Sequence, residues 1–268
     1  MPSRRRDDRA LSGSRLATRV DVITALIVRD MMVRYGRHHL GFVWTVLEPM
    51  ILTTGVMIIW SLIKEPIIHG IPVVVFVLTG YMPLTLWRHL TNPMAKILRA
   101  NSALLYHRPV SHVDIVIARG VLEFFSTTAA LIVIYFIVVT TGLVEPAQDL
   151  GLTLAAWLFT GWYFGAMGLA LAALTECWEP AEKFIQPVQY LQLPISGVFF
   201  MMDWLPDWAQ KLLLFNPSVH CFEMFRAGFL GESITTHYDP WYLAAASVTM
   251  TVVAAAAVYH ARDRIQFA

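Results

Sequence analysis

Charged residues and cysteines are both scarce in this sequence. Only 15% of the 268 residues are Asp, Glu, Lys or Arg, whereas ordinary soluble domains contain about 25%. The two cysteines are too few for a disulfide-stabilised scaffold or a multi-cysteine metal cluster. A net charge of +1 excludes a broadly basic nucleic-acid-binding surface. With 57% hydrophobic residues and a mean hydropathy of +0.57, the composition predicts an all-α membrane protein with several spans.

The usual catalytic motifs are absent as well. No Gly-x-x-x-x-Gly-Lys-Ser/Thr loop occurs, so the chain lacks that means of hydrolysing a nucleotide. Neither His-Glu-x-x-His nor Gly-x-Ser-x-Gly is found, and the nine His residues have no metal-ligand spacing within a span. A membrane enzyme acting on lipid-linked sugars would need an acid, base or metal cluster at one depth. We therefore expect no catalytic residue, metal site or cofactor in this chain.

Apolar segments recur along the chain at the length needed to cross a bilayer. A spanning helix needs about 20 mostly apolar residues, and six segments meet or approach this length. Cytoplasmic loops are enriched in Lys and Arg, and 17 of the 20 such residues fall on one side of the predicted spans. Both termini are therefore predicted to be cytoplasmic. The six predicted transmembrane helices of a single domain, 1–268, cover residues 42–63, 71–87, 115–144, 150–174, 187–202 and 241–259.

Three further segments are apolar but are not predicted to span. Residues 15–37 are interpreted as an amphipathic helix on the cytoplasmic membrane surface, with packing against a partner protein as the alternative. Residues 92–112 form a long cytoplasmic loop that suits a docking surface or an ordinary surface helix. Residues 205–230 contain two short stripes and predict a re-entrant pair of external helices, or a pair lying on the external surface. The stripe within 15–37 consists of Leu16, Val20, Ile23, Ile27 and Met31.

Charged residues inside the predicted spans indicate polar surroundings. Glu48 lies in the first span, where a carboxylate costs about 2.5–3.5 kcal/mol and should face protein or water. It either lines a polar path or hydrogen-bonds to a neighbouring helix. Arg119 and Glu123 are interpreted as a local ion pair whose side chains extend to the cytoplasmic interface. Gly161, Gly165 and Gly168 form a small-residue face of the fourth span suited to close helix packing.

Three stretches resemble the ABC-2 type permeases that export polysaccharides, in particular the group 2 capsular polysaccharide permeases of Gram-negative bacteria. Residues 28–49 carry the Arg-Asp, Arg-Tyr, Leu-Gly, Trp and Glu-Pro elements of the N-terminal signature of that family. Residues 101–123 are similar to its loop and third-span start, and residues 214–229 to its external segment. The dipeptide His112-Val113 departs from the family pattern, in which a Pro is common, and leaves the local shape of the loop open.

The resemblance implies a permease subunit of an ATP-driven exporter that moves lipid-linked capsular polysaccharide across the bacterial inner membrane. The chain itself would not be an enzyme. An ABC-2 permease for O-antigen, teichoic acid or a small hydrophobic compound is the alternative. The implied partners are a second copy of the chain, two cytoplasmic ATPase subunits that bind ATP and Mg, a periplasmic co-polymerase and an outer-membrane exporter, with no nucleic acid.

The resemblance also implies roles for the non-spanning segments. The 15–37 helix and the 92–112 region would dock the ATPase, and the 205–230 helices would form a periplasmic gate. Basic residues before the first span either anchor the chain to anionic lipids or recognise the cargo, and aromatic residues either stack on sugars or pack in the core. The expected entrance and path residues are Arg29, Arg34, Arg37, Trp44, Glu48, Tyr81, Trp162, Tyr163 and Tyr190; the coupling residues are Asn101, Tyr106, Arg108, Pro109 and Asp114; the gate residues are Trp208, Asn216, Pro217, His220, Glu223 and Arg226.

Overall fold

The computed structural model describes residues 19–33, 40–101 and 110–265, which are mostly helical. Five helices in these ranges are long and apolar enough to cross a membrane, and they match five of the six predicted spans. The count of six remains a prediction. In chain order the helices are α1 (19–33), α2 (Leu40–Ile63), α3 (Val73–Thr91), α4 (Ile97–Ala100), α5 (His112–Thr140), α6 (Leu150–Cys177), α7 (Ala181–Gln192), α8 (Asp207–Leu213), α9 (Pro217–Leu230) and α10 (Pro240–Ile265).

A small antiparallel hairpin connects α2 to α3. Its strands are β1 (Ile67–Ile68) and β2 (Ile71–Pro72). The two residues between them, His69 and Gly70, have φ values of 48° and 83°, the positive values that a tight two-residue hairpin turn requires. The hairpin therefore reverses the chain within a few residues, so that α3 can pack beside α2. The register pairs Ile67 with Pro72 and Ile68 with Ile71.

The core of the bundle lies around α3 and α6. Helix α6 packs against α3, α9 and α10, and the ring of Trp87 in α3 stacks on Phe164 of α6 with centroids 5.1 Å apart. In the most apolar 18-residue stretch of the α3 segment, 78% of the residues are buried. The corresponding stretches of α2 and α10 are each only 17% buried. In a membrane, the large apolar surfaces of α2 and α10 must face lipid or another protein chain.

Glycines of α6 allow close packing against two different neighbours. A Cβ atom added at Gly168 would overlap the carbonyl oxygen of Leu90 in α3, and one at Gly161 would overlap the ring of Phe124 in α5. At Gly165 an added Cβ would meet nothing within 4 Å. The predicted close helix packing is therefore confirmed at Gly161 and Gly168.

Replacing Gly168 by Ala should lower the free energy of unfolding by about 1–3 kcal/mol, because the added methyl group forces α6 away from α3 in a packed core. The apparent melting temperature of the purified chain in detergent measures this loss. Gly165→Ala is the matched control, since it adds the same methyl group to the same helix in open space. Equal melting temperatures of the two variants would contradict the expected overlap.

Helix α1 packs on the chain itself through part of the predicted stripe, since Ile23 and Ile27 pack against a buried apolar cluster. Its buried residues are Leu26 and Asp30, and Leu26 belongs to a cluster with Met94 and Ile115. Val20, a member of the predicted stripe, is 60% exposed. The prediction is therefore wrong at Val20, and it omitted Asp30 because a pattern of apolar residues cannot include a buried Asp whose charge is paired. The position of α1 on the membrane surface remains a prediction.

The predicted span 187–202 is wrong in its bounds. Helix α7 begins earlier and ends at Gln192, a 3₁₀ turn continues to Ile195, and residues 196–200 form turns and bends. The 12 residues of α7 are about 18 Å long, which is short of the roughly 30 Å hydrocarbon layer. The apolar residues after Ile195 look helical by hydropathy, but Gly197 has a φ of 90° and turns the chain.

Candidate functional site

Helix α9 is buried in the bundle although it is too short to span a membrane. Every residue from Ser218 to Leu230 is buried, and the helix packs against α3, α6 and α10. The side-chain oxygen of Asn216 caps its start by accepting a hydrogen bond from the Ser218 N–H at 3.1 Å, with Pro217 in the first turn. Its 14 residues are about 21 Å long. The depth of α9 in the membrane remains a prediction.

The side chains of Glu223 and Arg226 in α9 are fully buried and hold two connecting segments. The guanidinium of Arg226 donates hydrogen bonds to the carbonyl oxygens of Gly197, Phe200 and Val198 at 2.7, 2.8 and 2.9 Å. It lies 3.7 Å from the Glu223 carboxylate and packs on the ring of Phe76. The carboxylate of Glu223 accepts the backbone N–H groups of Met202 and His237 at 3.2 and 3.0 Å. These bonds compensate the cost of burying both charges.

The ring of His220 joins the start of α9 to the start of α10. Its Nδ1 accepts the backbone N–H of Asp239 at 2.9 Å. The proton is therefore on Nε2, which donates to the carbonyl oxygen of Leu214 at 2.8 Å. The ring also lies against Tyr242, whose hydroxyl donates to the carbonyl oxygen of Phe215 at 2.7 Å. His220, Glu223 and Arg226 thus bind α9 to three connecting segments. These segments precede α8, join α8 to α9, and precede α10.

The expected gate residues fall into two groups in the structure. Asn216, Pro217, His220, Glu223 and Arg226 cap α9 or lie on its buried faces. Trp208 lies on α8 and is 72% exposed, together with the exposed side chains of Leu212 and Phe215. Residues 207–213 are therefore an exposed amphipathic helix, unlike the buried α9, and the gating role of both groups remains a prediction.

At the other end of the bundle, charged side chains of α1 and α5 form a chain that is joined by His89 of α3. The Nε atom of Arg119 lies 2.8 Å from a carboxylate oxygen of Glu123, whose other oxygen lies 3.2 Å from Nδ1 of His89. Arg119 also approaches Asp30 of α1 at 4.0 Å. The predicted Arg119–Glu123 pair is confirmed, but its extension to the interface is wrong. The two side chains are only 11% and 5% exposed because α1 and α3 cover them.

The two expected coupling residues within the described ranges, Asn101 and Asp114, form hydrogen bonds to other residues of the chain. Asn101 accepts a hydrogen bond from Arg29, which also pairs with Asp30 at 2.6 Å. The carboxylate of Asp114 accepts the backbone N–H of Ser111 at 3.1 Å and completes a capping box at the start of α5. Both arrangements fix the ends of the loop that contains the predicted docking surface. Five expected residues lie outside the described residues: Arg34, Arg37, Tyr106, Arg108 and Pro109.

Two polar cavities lie beside this charged chain. The larger, about 310 Å³, has Glu48, Arg88, His89 and Glu123 in its wall. The second, about 270 Å³, is lined by Arg29, Asp30, Lys96 and Arg119 among others, and the two share Pro93. Within the described residues the guanidinium of Arg88 has no ion pair or hydrogen bond. Such a wall can bind a carboxylate, a phosphate or a hydroxyl-rich group.

The expected aromatic path residues do not share one environment. Tyr163 is buried in the core against Phe164, and Trp162 donates its Nε1–H to Thr251 of α10 at 3.0 Å. Tyr81 meets Phe199 edge to face with centroids 6.4 Å apart. Trp44 and Tyr190 have exposed side chains. Sequence reasoning cannot separate these cases, because each residue is an aromatic within an apolar run.

Three polar residues missed by sequence reasoning line a third cavity, of about 40 Å³, between α3 and α7. They are Trp87, Asn92 and Gln189, and each has a buried side-chain atom without a hydrogen-bond partner. Such an atom costs about 1–3 kcal/mol. The only sequence signal was the polar pair Arg88 and Asn92 at the end of a predicted span.

The long apolar helices and the buried charged clusters define a multi-pass α-helical membrane protein. Within the described residues no cluster of three or more His, Cys, Asp or Glu could hold a metal ion. The model of the ABC-2 type transporter family matches residues 21–230. The chain therefore belongs to the ABC-2 type transporter family.

The relatives are bacterial proteins of similar length. The capsule polysaccharide export inner-membrane protein CtrC of Neisseria meningitidis serogroup A is 35% identical over 88% of this chain and 89% of its own length. BexB of Haemophilus influenzae, with the same descriptive name, is 31% identical over 89% of this chain and 90% of its own. The polysialic acid transport protein KpsM of Escherichia coli is 26% identical over 81% and 85%.

Proposed function

We propose that this chain is the permease subunit of an exporter that carries capsular polysaccharide across the bacterial inner membrane. The observation that supports the proposal most is the similarity to CtrC and BexB, which extends over about nine tenths of the chain. The chain would be a multi-pass inner-membrane protein with both termini cytoplasmic, as the placement of Lys and Arg predicts. The transported polymer would be linked to a lipid at one end.

The proposed assembly contains two copies of this chain and two cytoplasmic ATPase subunits. ATP and Mg would be bound by the ATPase and not by the permease. The weakly buried helices α2 and α10 offer the apolar surface that a second copy needs. Helix α1, α4 and the loop ends at Asn101 and Ser111 would receive the ATPase. A periplasmic co-polymerase and an outer-membrane exporter would continue the route.

The proposed path begins at the charged end of the bundle. The cavities around Arg29, Glu48 and Arg88 supply polar walls near the predicted cytoplasmic side, where an anionic lipid-linked group would enter. Nucleotide-driven movement of α1 would reach α5 through the contact between Asp30 and Arg119. At the other end, α9 and the exposed apolar face of α8 would form the external gate.

Deleting the gene in the strain that carries it tests the proposed function. Surface capsule, measured by staining and by immunoassay of intact cells, should be lost, and lipid-linked polysaccharide should accumulate inside the cells. Supplying the chain from a plasmid should restore the capsule. A normal capsule in the deletion strain would reject the proposal, and loss of O-antigen with a normal capsule would favour the alternative cargo.

A further inference from the structure

Three buried polar atoms without hydrogen-bond partners line the same cavity. They are Nε1 of Trp87, Oδ1 of Asn92 and Nε2 of Gln189. Trp87 and Asn92 belong to the last turns of α3 and its C-terminal cap, whereas Gln189 comes from α7. Since buried polar atoms are nearly always hydrogen-bonded, three exceptions in one cavity indicate that its occupant supplies the missing partners.

Packing fixes the direction of the indole N–H of Trp87. The residue is 1% exposed, and its ring stacks on Phe164 with an angle of 11° between the planes. The side chain cannot turn to find another acceptor without breaking this stack. Two donors and one acceptor therefore face a polar space that the fold itself leaves unfilled.

The size of the cavity restricts what can occupy it. Its volume of about 40 Å³ exceeds the space for one water molecule but is too small for a whole sugar ring. A single carboxylate or hydroxyl group fits. The rest of the molecule would lie at the mouth, where the exposed ring of Tyr190 can pack on the apolar face of a sugar.

Arg88 adds a positive charge at the same place. It lines both this cavity and the adjacent one of about 310 Å³, and Asn92 does so as well. Its guanidinium has no anionic partner in the described part of the chain. A free guanidinium beside two N–H donors favours an anionic group over a neutral one.

We propose that the cavity between α3 and α7 is a subsite for an acidic sugar unit of the transported polysaccharide. The carboxylate accepts from the Trp87 indole and the Gln189 amide and pairs with Arg88, and a neighbouring hydroxyl donates to Asn92. The proposal rests on the proposed function, and it adds a contact that recognises the sugar chain itself. A cavity occupied only by water is the competing possibility.

Binding to the full chain in lipid nanodiscs tests the subsite. The probe is a set of short oligosaccharides from the capsule of the strain that carries the chain, measured by titration calorimetry. Trp87→Phe keeps the stack and removes the donor, and Gln189→Leu removes the second donor. Each should raise Kd about 2- to 10-fold, as the loss of one hydrogen bond predicts. Trp87→Phe leaves a small void in the core and should lower the melting temperature modestly, whereas Gln189→Leu should not, because it replaces an unpaired polar atom by an apolar group.

Two controls distinguish binding from structure. Trp157→Phe removes an indole N–H that already donates to Thr128 at 2.9 Å, so it should lower the melting temperature and leave Kd unchanged. Carboxyl-reduced oligosaccharides should bind at least about 10-fold more weakly to the original chain. The subsite is rejected if Kd is unchanged in Trp87→Phe and Gln189→Leu, if Trp87→Phe lowers the melting temperature as much as Trp157→Phe, or if reduction of the carboxylates has no effect. Loss of capsule in the deletion strain would still stand, because that experiment does not depend on this cavity.

Discussion

Replacing Arg226 by Met should lower the free energy of unfolding by about 3–5 kcal/mol, the loss expected when one partner of a buried charge pair is removed. The substitution removes three hydrogen bonds to carbonyl oxygens of residues 197–200. It also leaves the buried carboxylate of Glu223 with only its two backbone N–H donors. Thermal unfolding of the purified chain, followed by tryptophan fluorescence, measures the change.

The double variant Arg226→Met with Glu223→Gln identifies which interaction dominates. It removes the uncompensated charge, so part of the stability should return. Full recovery is not expected, because the carbonyl oxygens of Gly197, Val198 and Phe200 still lack their donor. Lys211→Met is the control, since Lys211 is exposed on α8 and the change should stay within about 0.5 kcal/mol. An effect of Arg226→Met no larger than this control would contradict the assigned role.

Replacing Arg119 by Leu should have an effect of similar size at the other end of the bundle. Asp30 and Glu123 would lose their buried cationic partner, with an expected cost of about 3–5 kcal/mol. Because Asp30 lies on α1, the contact between α1 and α5 should weaken first. Hydrogen exchange of the backbone amides of residues 19–33 should therefore become faster before the whole chain unfolds.

An exposed arginine on the same side supplies the matched control. Arg99 lies 3.0 Å from Glu179 and 3.5 Å from Glu182, but its side chain is 42% exposed. Arg99→Leu should therefore cost no more than about 1 kcal/mol and leave the exchange of α1 unchanged. Equal stability losses in Arg99→Leu and Arg119→Leu would show that burial of Arg119 does not determine how much it contributes to the free energy of unfolding.

The long spans were predictable because their information is local. The cores of α2, α3, α5, α6 and α10 are apolar runs whose length alone decides the outcome. The break at Asn216-Pro217 was equally local, since Asn is a good helix cap and Pro favours the first turn. The structure places that cap at the start of α9.

The prediction was wrong where distant residues decide local structure. The residues after Ile195 are apolar enough for a span, yet their carbonyl groups bond to Arg226, 26 to 29 residues away. In α1, the buried Asp30 pairs with Arg29 and approaches Arg119 of α5, and no apolar pattern can include these contacts. Hydropathy measures the preference for an apolar environment, but it does not include a charge that finds its partner only after folding.

The sequence by itself determined the membrane-spanning class, five long apolar helices, and the residues that make the chain similar to polysaccharide permeases. The tertiary structure alone decided which polar side chains share a site. Trp87 and Gln189 are more than 100 positions apart and line one cavity only because the fold brings the end of α3 near α7. Side-chain periodicity fixes which face of a helix a residue occupies, but the neighbour of that face follows from the packing of the whole bundle.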